Sequence, residues 1–201
     1  MTEIDRRQVL GMFGAVPVAV LAVAREEAAH AMARVREAQG QAARAGQPYA
    51  LRFFTEREYA TIVALADLII PRDARSGSAS EAGAPEFIDY IVAEQPARQT
   101  AMRGGLVWLD TECRRRTDTA FLESSDAERR AVLDDIAWPR QARPELAHGV
   151  AFFTAMRDLV ATGFWSSRVG VDDLGYLGNR PVGEWTGAPP EVLARLGVSY
   201  D

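Results

Sequence analysis

Helix start and stop signals divide most of this chain into helical segments. Thr55 and Glu58 have the S/T-x-x-E spacing of a capping box, in which each side chain accepts a hydrogen bond from a backbone N–H at a helix start. Apolar residues follow at helical spacing until Pro71, which cannot continue the helix. A second capping box over 125–128 predicts another helix, which Pro139 ends.

Further stretches show the same helical period. Apolar residues recur at intervals of three and four over 85–95, 98–116 and 144–164, and PPEVLARLG has prolines at its start and Gly197 at its end. No stretch alternates apolar and polar residues over a length that predicts a strand. The sequence therefore predicts an all-α fold, a small single-domain bundle of about five to six helices over 51–201.

The stretch GFWSSRVGVDDLGYLGNRPVGEW, residues 163–185, lacks a regular apolar period and is rich in glycine and aromatic residues, so it predicts a long irregular segment. Two interpretations of its aromatic side chains stay open. They dock a partner protein, because aromatics supply much of the energy of interfaces, or they fold back as a lid on the domain's own core. The docking interpretation names Phe164, Trp165, Tyr176, Asn179 and Trp185.

The N-terminal residues 1–24 have the order of an export signal. Arg6 and Arg7 precede an uncharged run, and Ala22 and Ala24 form an A-x-A cleavage site before charge returns. The paired arginines resemble a twin-arginine (Tat) signal, which predicts a periplasmic protein. An ordinary secretory signal, an uncleaved anchor and a buried N-terminal helix are the alternatives.

Residues 25–50 are dominated by Ala, Arg, Glu and Gln. Because the segment holds few large apolar side chains, it predicts a tether or partner-binding arm that buries little surface.

The net charge of −5 argues against nucleic acid as a partner. The arginine run at 114–116 falls late in a predicted helix, where cations favour the negative end of the helix dipole, so we interpret it as a solvated helix terminus.

Few residues of this chain suit catalysis, metal binding or cofactor binding. His30 lies in the predicted tether and His148 in a predicted helix, while the single Cys113 has the spacing of a core residue. Asp172 and Asp173 are adjacent, so their side chains diverge, and no array of further carboxylates accompanies them. Nucleotide, haem and iron–sulfur motifs are missing, so we expect no cofactor and no metal in this chain.

Carboxylates remain as candidate chemical groups. Asp67 interrupts the apolar run IVALADLII, and a carboxylate in such surroundings needs a partner. We expect a structural ion pair with Arg72 or Arg103 rather than a catalytic acid. Asp110 and Asp158, each near the end of an apolar face, have the same interpretation.

The strings LADLIIPRD, EAGAPEFIDYI and RGGLVWLD occur in this order before FFTAMRDLVATGFWSSRVGVDDLGYLGNRPVGEWTGAPPEVLARLG. With them, residues 51–198 resemble the gluconate 2-dehydrogenase subunit 3 family, the small gamma subunits of membrane-associated sugar dehydrogenases. The resemblance implies a cofactor-free partner of a large FAD-containing flavoprotein of the GMC type. It also implies that electrons pass to a c-type cytochrome or the respiratory chain, and that the flavoprotein is exported with the small subunit's Tat signal. Asp5, Val9 and Gly11 depart from the usual residues of that signal.

The sequence thus predicts a non-catalytic accessory subunit of a periplasmic dehydrogenase, which meets a membrane only through its signal or its complex. Two other functions stay open. One is an exported helical ligand-binding protein that uses the aromatic segment as a lid. The other is a hydrolase or lyase that uses Asp67, Asp110 or Asp158.

Overall fold

The computed structural model describes residues 26–175 and 187–200. Within these ranges the chain is helical and contains no strand, so the predicted all-α fold is confirmed. No helix in the described ranges is long and apolar enough to cross a membrane.

Eight α-helices and one short 3-10 helix form the described part of the chain. Their bounds are α1 over 26–44, α2 Glu56–Ile69, α3 Ala84–Glu94, α4 Pro96–Thr117, α5 Asp126–Ala137, a 3-10 turn Pro144–Leu146, α6 Ala147–Trp165, α7 Arg168–Asp173 and α8 Pro190–Leu196.

Both capping boxes are present. The Thr55 and Ser125 side chains each accept a hydrogen bond from the backbone N–H three residues later. In return, the Glu58 and Glu128 carboxylates accept hydrogen bonds from the backbone N–H groups of Thr55 and Ser125. The helices α2 and α5 that follow end where prolines were expected to end them. At the other end of the chain, Gly197 adopts the left-handed conformation, with φ of 67°, and terminates α8 as predicted.

α6 is the central helix of the bundle and packs against α2, α3, α4, α5 and α7. The apolar positions that the sequence places at helical spacing face this centre. The largest fully buried side chains on or beside these helices are Phe87, Phe121, Phe164, Ile62, Leu65, Ile88, Leu109, Ile136 and Met156.

The packing of α1 corrects the prediction that residues 25–50 form a tether that buries little surface. Ala28, Ala31 and Met32 of this helix belong to the main apolar core, and Val35 is fully buried. The expectation of little burial rested on the scarcity of large apolar residues. Alanines let α1 approach the bundle closely instead, so that a single Met and a single Val complete the contact.

α4 and α6 also approach each other closely, because each presents a glycine to an aromatic ring of the other. A Cβ atom at Gly105 of α4 would overlap the ring of Phe152, and a Cβ atom at Gly149 of α6 would overlap the ring of Trp108. This reciprocal packing sets the spacing of the two helices.

The described part of the predicted irregular segment is largely helical. Residues 163–165 continue α6, and the Ser167 hydroxyl then caps α7 by accepting the backbone N–H of Gly170 at 3.1 Å. Gly163 does not break the helix. It lies against Ala84 and Phe87 of α3, where a Cβ atom would meet carbon atoms at 3.0–3.2 Å, so glycine permits close helix packing here.

Candidate functional site

The C-terminal end of α6 presents an exposed tryptophan on a buried phenylalanine. Trp165 is 41% exposed, whereas Phe164 is 1% exposed and lies in the core. The two rings meet edge to face, with centroids 4.8 Å apart and an interplanar angle of 87°. Trp165 therefore remains a candidate docking residue, and the assignment of Phe164 as a docking residue is wrong, because its ring faces the bundle.

The chain around Trp165 is held by polar contacts. Arg36 of α1 donates a hydrogen bond of 3.2 Å to the carbonyl of Ser166, and Arg75 donates one of 2.8 Å to the carbonyl of Asp173. Leu174, just after α7, is 61% exposed. The other three predicted docking residues, Tyr176, Asn179 and Trp185, lie outside the described residues.

A second exposed apolar feature, which we call the α4–α6 groove, was not predicted. It is an open cavity of about 460 Å³ between the N-terminal halves of the two helices. Its walls are almost entirely small or aromatic, with Arg98 and His148 as the polar exceptions. The apolar lining residues are Ala97, Ala101, Met102, Gly104, Gly105, Trp108, Ala151, Phe152 and Ala155.

The sequence contained a signal for this groove. Ala97, Ala101, Gly104 and Trp108 recur at intervals of three and four on α4, which places small residues on one face of the helix. The helical period of the large apolar residues indicates only the face of α4 that packs in the core. His148 is exposed beside this groove, at the start of α6.

Asp67 does not form the predicted ion pair. Its carboxylate is half-buried and accepts two hydrogen bonds from Ser80, at 2.9 Å from the backbone N–H and 2.7 Å from the hydroxyl. Arg72 instead pairs with Glu81, and Arg103 pairs with Glu58. The loop after α2 folds back over the helix end, so the serine satisfies the carboxylate.

The other aspartates considered for catalysis have separate partners. Asp110 accepts the backbone N–H of Phe121 at 3.0 Å and lies 3.6–3.8 Å from the guanidinium groups of Arg114 and Arg57. Asp158 is largely exposed and pairs with its neighbour Arg157 at 2.9 Å. Each carboxylate thus serves a local structural contact.

Among the described residues, the carboxylate with the most extensive backbone contacts is Asp89, which the sequence did not indicate as a site. It is fully buried on α3 and accepts three backbone N–H groups, from Arg52, Phe53 and Phe54, at 2.8–3.0 Å. Tyr49 donates a longer bond of 3.4 Å, and its burial beside this carboxylate raises the pKa of the tyrosine well above its usual range. Asp89 therefore fixes the segment between α1 and α2.

Cys113 and the arginine run 114–116 lie near the C-terminal end of α4. Cys113 is buried in the core as expected, and this burial raises the pKa of its thiol. The arginines end the helix as predicted and also have a structural role. Arg115 and Arg116 both donate to Glu112 at 2.7–2.8 Å, and they hold the pKa of this buried carboxyl at about 2.

Metal-ligand groups do not cluster in the part of the chain that the structure describes, where no three His, Cys, Asp or Glu side chains converge. Asp172 and Asp173 point to different arginines, Arg168 and Arg75. His30 is exposed on α1. The predicted signal residues Arg6, Arg7, Ala22 and Ala24 lie outside the described residues.

The surface at Trp165 and the α4–α6 groove both expose apolar groups, as surfaces that bind other molecules do. The carboxylates described above instead bind neighbouring groups of the chain itself. Neither the curated proteins nor the solved structures contain a significant match to the chain. The model of one protein family, described as gluconate 2-dehydrogenase subunit 3, matches residues 56–187. This match covers α2 to α7 and agrees with the resemblance seen in the sequence. The chain belongs to the gluconate 2-dehydrogenase subunit 3 family and is thus related to a subunit of a dehydrogenase complex.

Proposed function

We propose that this chain is the non-catalytic accessory (gamma) subunit of a periplasmic FAD-dependent dehydrogenase that acts on a sugar, a glycoside or a sugar acid. Family membership is the observation that carries this proposal. In the complex, a GMC-type flavoprotein holds FAD and oxidises the substrate, and a c-type cytochrome subunit receives the electrons. The accessory chain binds the flavoprotein, supports its folding and accompanies its export.

The polar contacts of the described residues support a structural role. Asp67, Asp110 and Asp158 each bind groups of their own neighbourhood. General acid–base catalysis needs a titratable group within hydrogen-bond reach of a bound substrate. These carboxylates instead hold a loop, a turn and an exposed arginine in place.

Trp165 supports a docking role for the C-terminal end of α6. Tryptophan is enriched among the residues that dominate binding energy, and its contribution is largest when the ring is already held in place. Trp165 meets this condition, because the buried ring of Phe164 lies against its own ring. Leu174, just after α7, is a second exposed apolar side chain in this part of the sequence. We therefore place the flavoprotein contact at this end of the bundle.

The proposal is tested first on the purified chain alone. It should be colourless and should not reduce artificial electron acceptors with sugars as substrates. Addition of the chain to the flavoprotein should increase the stability of the flavoprotein, since binding to the folded state stabilises that state. Stoichiometric flavin retained by the isolated chain, or turnover of a sugar by it, would overturn the proposal.

Export is tested at the two arginines that the Tat route recognises. Replacement of Arg6 and Arg7 by lysine should leave this chain in the cytoplasm, and the flavoprotein should remain there with it. Cell fractionation and immunoblots of both subunits measure the outcome. If both subunits still reach the periplasm, the route assigned to the complex is wrong.

A further inference from the structure

The α4–α6 groove is an apolar surface that the proposed docking at Trp165 does not use. Its cavity of about 460 Å³ falls within the size range of sites that bury apolar ligands. Exposed alanines and Gly104 line it, so the backbone of an occupant can approach the helices closely. The groove therefore suits a chain segment with medium-sized apolar side chains.

The path of α1 shows which segment reaches the groove. Arg36 contacts the carbonyl of Ser166 at the C-terminal end of α6, and Glu27 accepts a bond of 2.5 Å from Gln95 at the junction of α3 and α4. The N-terminal end of α1 therefore lies at the junction of α3 and α4, and the helix extends from there towards the C-terminal end of α6. Gln95 also contacts Arg98, which lines the near end of the groove. The N-terminal end of α1 therefore lies at this end of the groove.

The upstream segment matches the groove in chemistry and length. Residues 8–24 carry no charge and include Val18, Val20, Leu21 and Val23. The groove follows α4 from residue 97 to residue 108, which is about 17 Å at the helical rise. The seventeen residues of the segment 8–24 are enough to cover this length even at the helical rise of about 1.5 Å per residue, which is a compact spacing. A segment joined to the bundle also has a high effective concentration at a neighbouring site.

We propose that, in the uncleaved chain, the apolar segment 8–24 lies in the α4–α6 groove. Its valines and Leu21 contact the small residues of α4 and α6, and Trp108 closes the far end. Docking removes the segment from water and from other copies of the chain until the signal is recognised. Cleavage after Ala24 then takes place at the near end of the groove and leaves it open. This inference is independent of the docking proposed at Trp165.

Disulfide cross-linking of the intact 201-residue chain tests the proposal. Val20→Cys is paired with Ala101→Cys in the groove, and in the control with Ala131→Cys, an exposed alanine on α5. Native Cys113 stays in place, since it is buried. The groove pair should form an intramolecular disulfide at least about tenfold faster than the control pair, as expected for a site of raised effective concentration. Peptide mapping identifies the product.

Limited proteolysis provides a second readout that needs no new cysteine. Chymotrypsin cleaves after aromatic and large apolar residues, which in the segment 8–24 are Leu10, Met12, Phe13 and Leu21. Ala101→Arg places a charged side chain in the groove, so it should increase cleavage of the segment several-fold, whereas Ala131→Arg should leave it as in the parent chain.

Equal cross-linking rates at the two positions would overturn the inference, as would equal cleavage in all three chains. A disulfide formed only between two molecules would assign the groove to a second copy instead. Cross-linking of Ala101→Cys to the flavoprotein, with the segment still open to protease, would assign it to the partner.

Discussion

The carboxylate of Asp89 accepts the backbone N–H of Phe54 at 3.0 Å, and through this bond and two others α3 holds the segment that precedes α2. Asp89→Asn should destabilise the fold by about 3 kcal/mol, because an amide has one acceptor oxygen and turns a donor towards backbone N–H groups. The melting temperature should fall by about 6–12 °C in a chain of this size. Differential scanning calorimetry measures the change.

Asp158→Asn is the matched control, since this carboxylate is largely exposed and, among the described residues, pairs with the neighbouring Arg157. Its effect should stay within about 0.5 kcal/mol. Equal melting temperatures for the two variants would show that the Asp89 contacts contribute little.

Glu112 should make stability depend on pH in acid. Hydrogen bonds from Arg115, and then the bonds and charge of Arg116, lower the pKa of this buried carboxyl from 4.5 to about 2. A depressed pKa in the folded state contributes stability above the unfolded value, and this contribution is lost as pH falls from about 5 to about 2. Because Arg115 is 62% exposed and solvent screens its charge, we expect about 2 kcal/mol.

Urea unfolding of the Glu112→Gln variant at several pH values checks this contribution. The variant should be less stable than the parent at pH 7 and should approach it below pH 3. Asp134→Asn, at an exposed position on α5, should follow the parent at every pH. A constant difference between Glu112→Gln and the parent across this range would contradict the assignment.

Two adjacent glycines of α4 should respond to alanine in opposite directions. A Cβ atom at Gly105 would overlap the ring of buried Phe152, so Gly105→Ala should cost about 1–3 kcal/mol through overpacking. A Cβ atom at Gly104 meets nothing within 4 Å, so Gly104→Ala should stabilise the helix by about 0.5–1 kcal/mol. Chemical denaturation of both variants compares them. If both stabilise the fold equally, α4 and α6 are not packed as closely as the structure shows.

Trp165 and Phe164 form a matched pair for the docking surface. Trp165→Ala should weaken binding to the flavoprotein about thirtyfold, equivalent to roughly 2 kcal/mol, and leave the melting temperature nearly unchanged. Phe164→Ala should instead lower stability by about 3–5 kcal/mol, because it empties a core position. Calorimetric titration and thermal melts separate the two effects. Docking at Trp165 is wrong if this variant binds as tightly as the parent.

Local signals predicted the helix boundaries well, because caps and prolines act within a few residues. The capping boxes at Thr55 and Ser125 are formed as the sequence indicates. The packing of α1 was missed for a physical reason. Burial of alanines such as Ala28 and Ala31 depends on the partner surface, which a single sequence does not display.

The candidate site was predicted only in part, because adjacent residues on a helix point in directions about 100° apart. The sequence grouped Phe164 with Trp165, and only the packing of α6 decides that the first is core and the second is exposed. Asp67 shows the same limit. The apolar residues around Asp67 show that its carboxylate needs a polar partner. That partner is Ser80, which only the fold of the loop after α2 brings to the carboxylate.

Co-purification tests the central claim most directly. An affinity-tagged form of this chain is co-expressed with a GMC-type flavoprotein from the same organism, and the eluate is examined by absorbance spectroscopy and gel electrophoresis. We predict that a large second subunit elutes with the chain, with the visible absorbance of bound flavin and sugar dehydrogenase activity. Elution of the folded chain alone, without flavin, while an active flavoprotein stays unbound, would contradict the account.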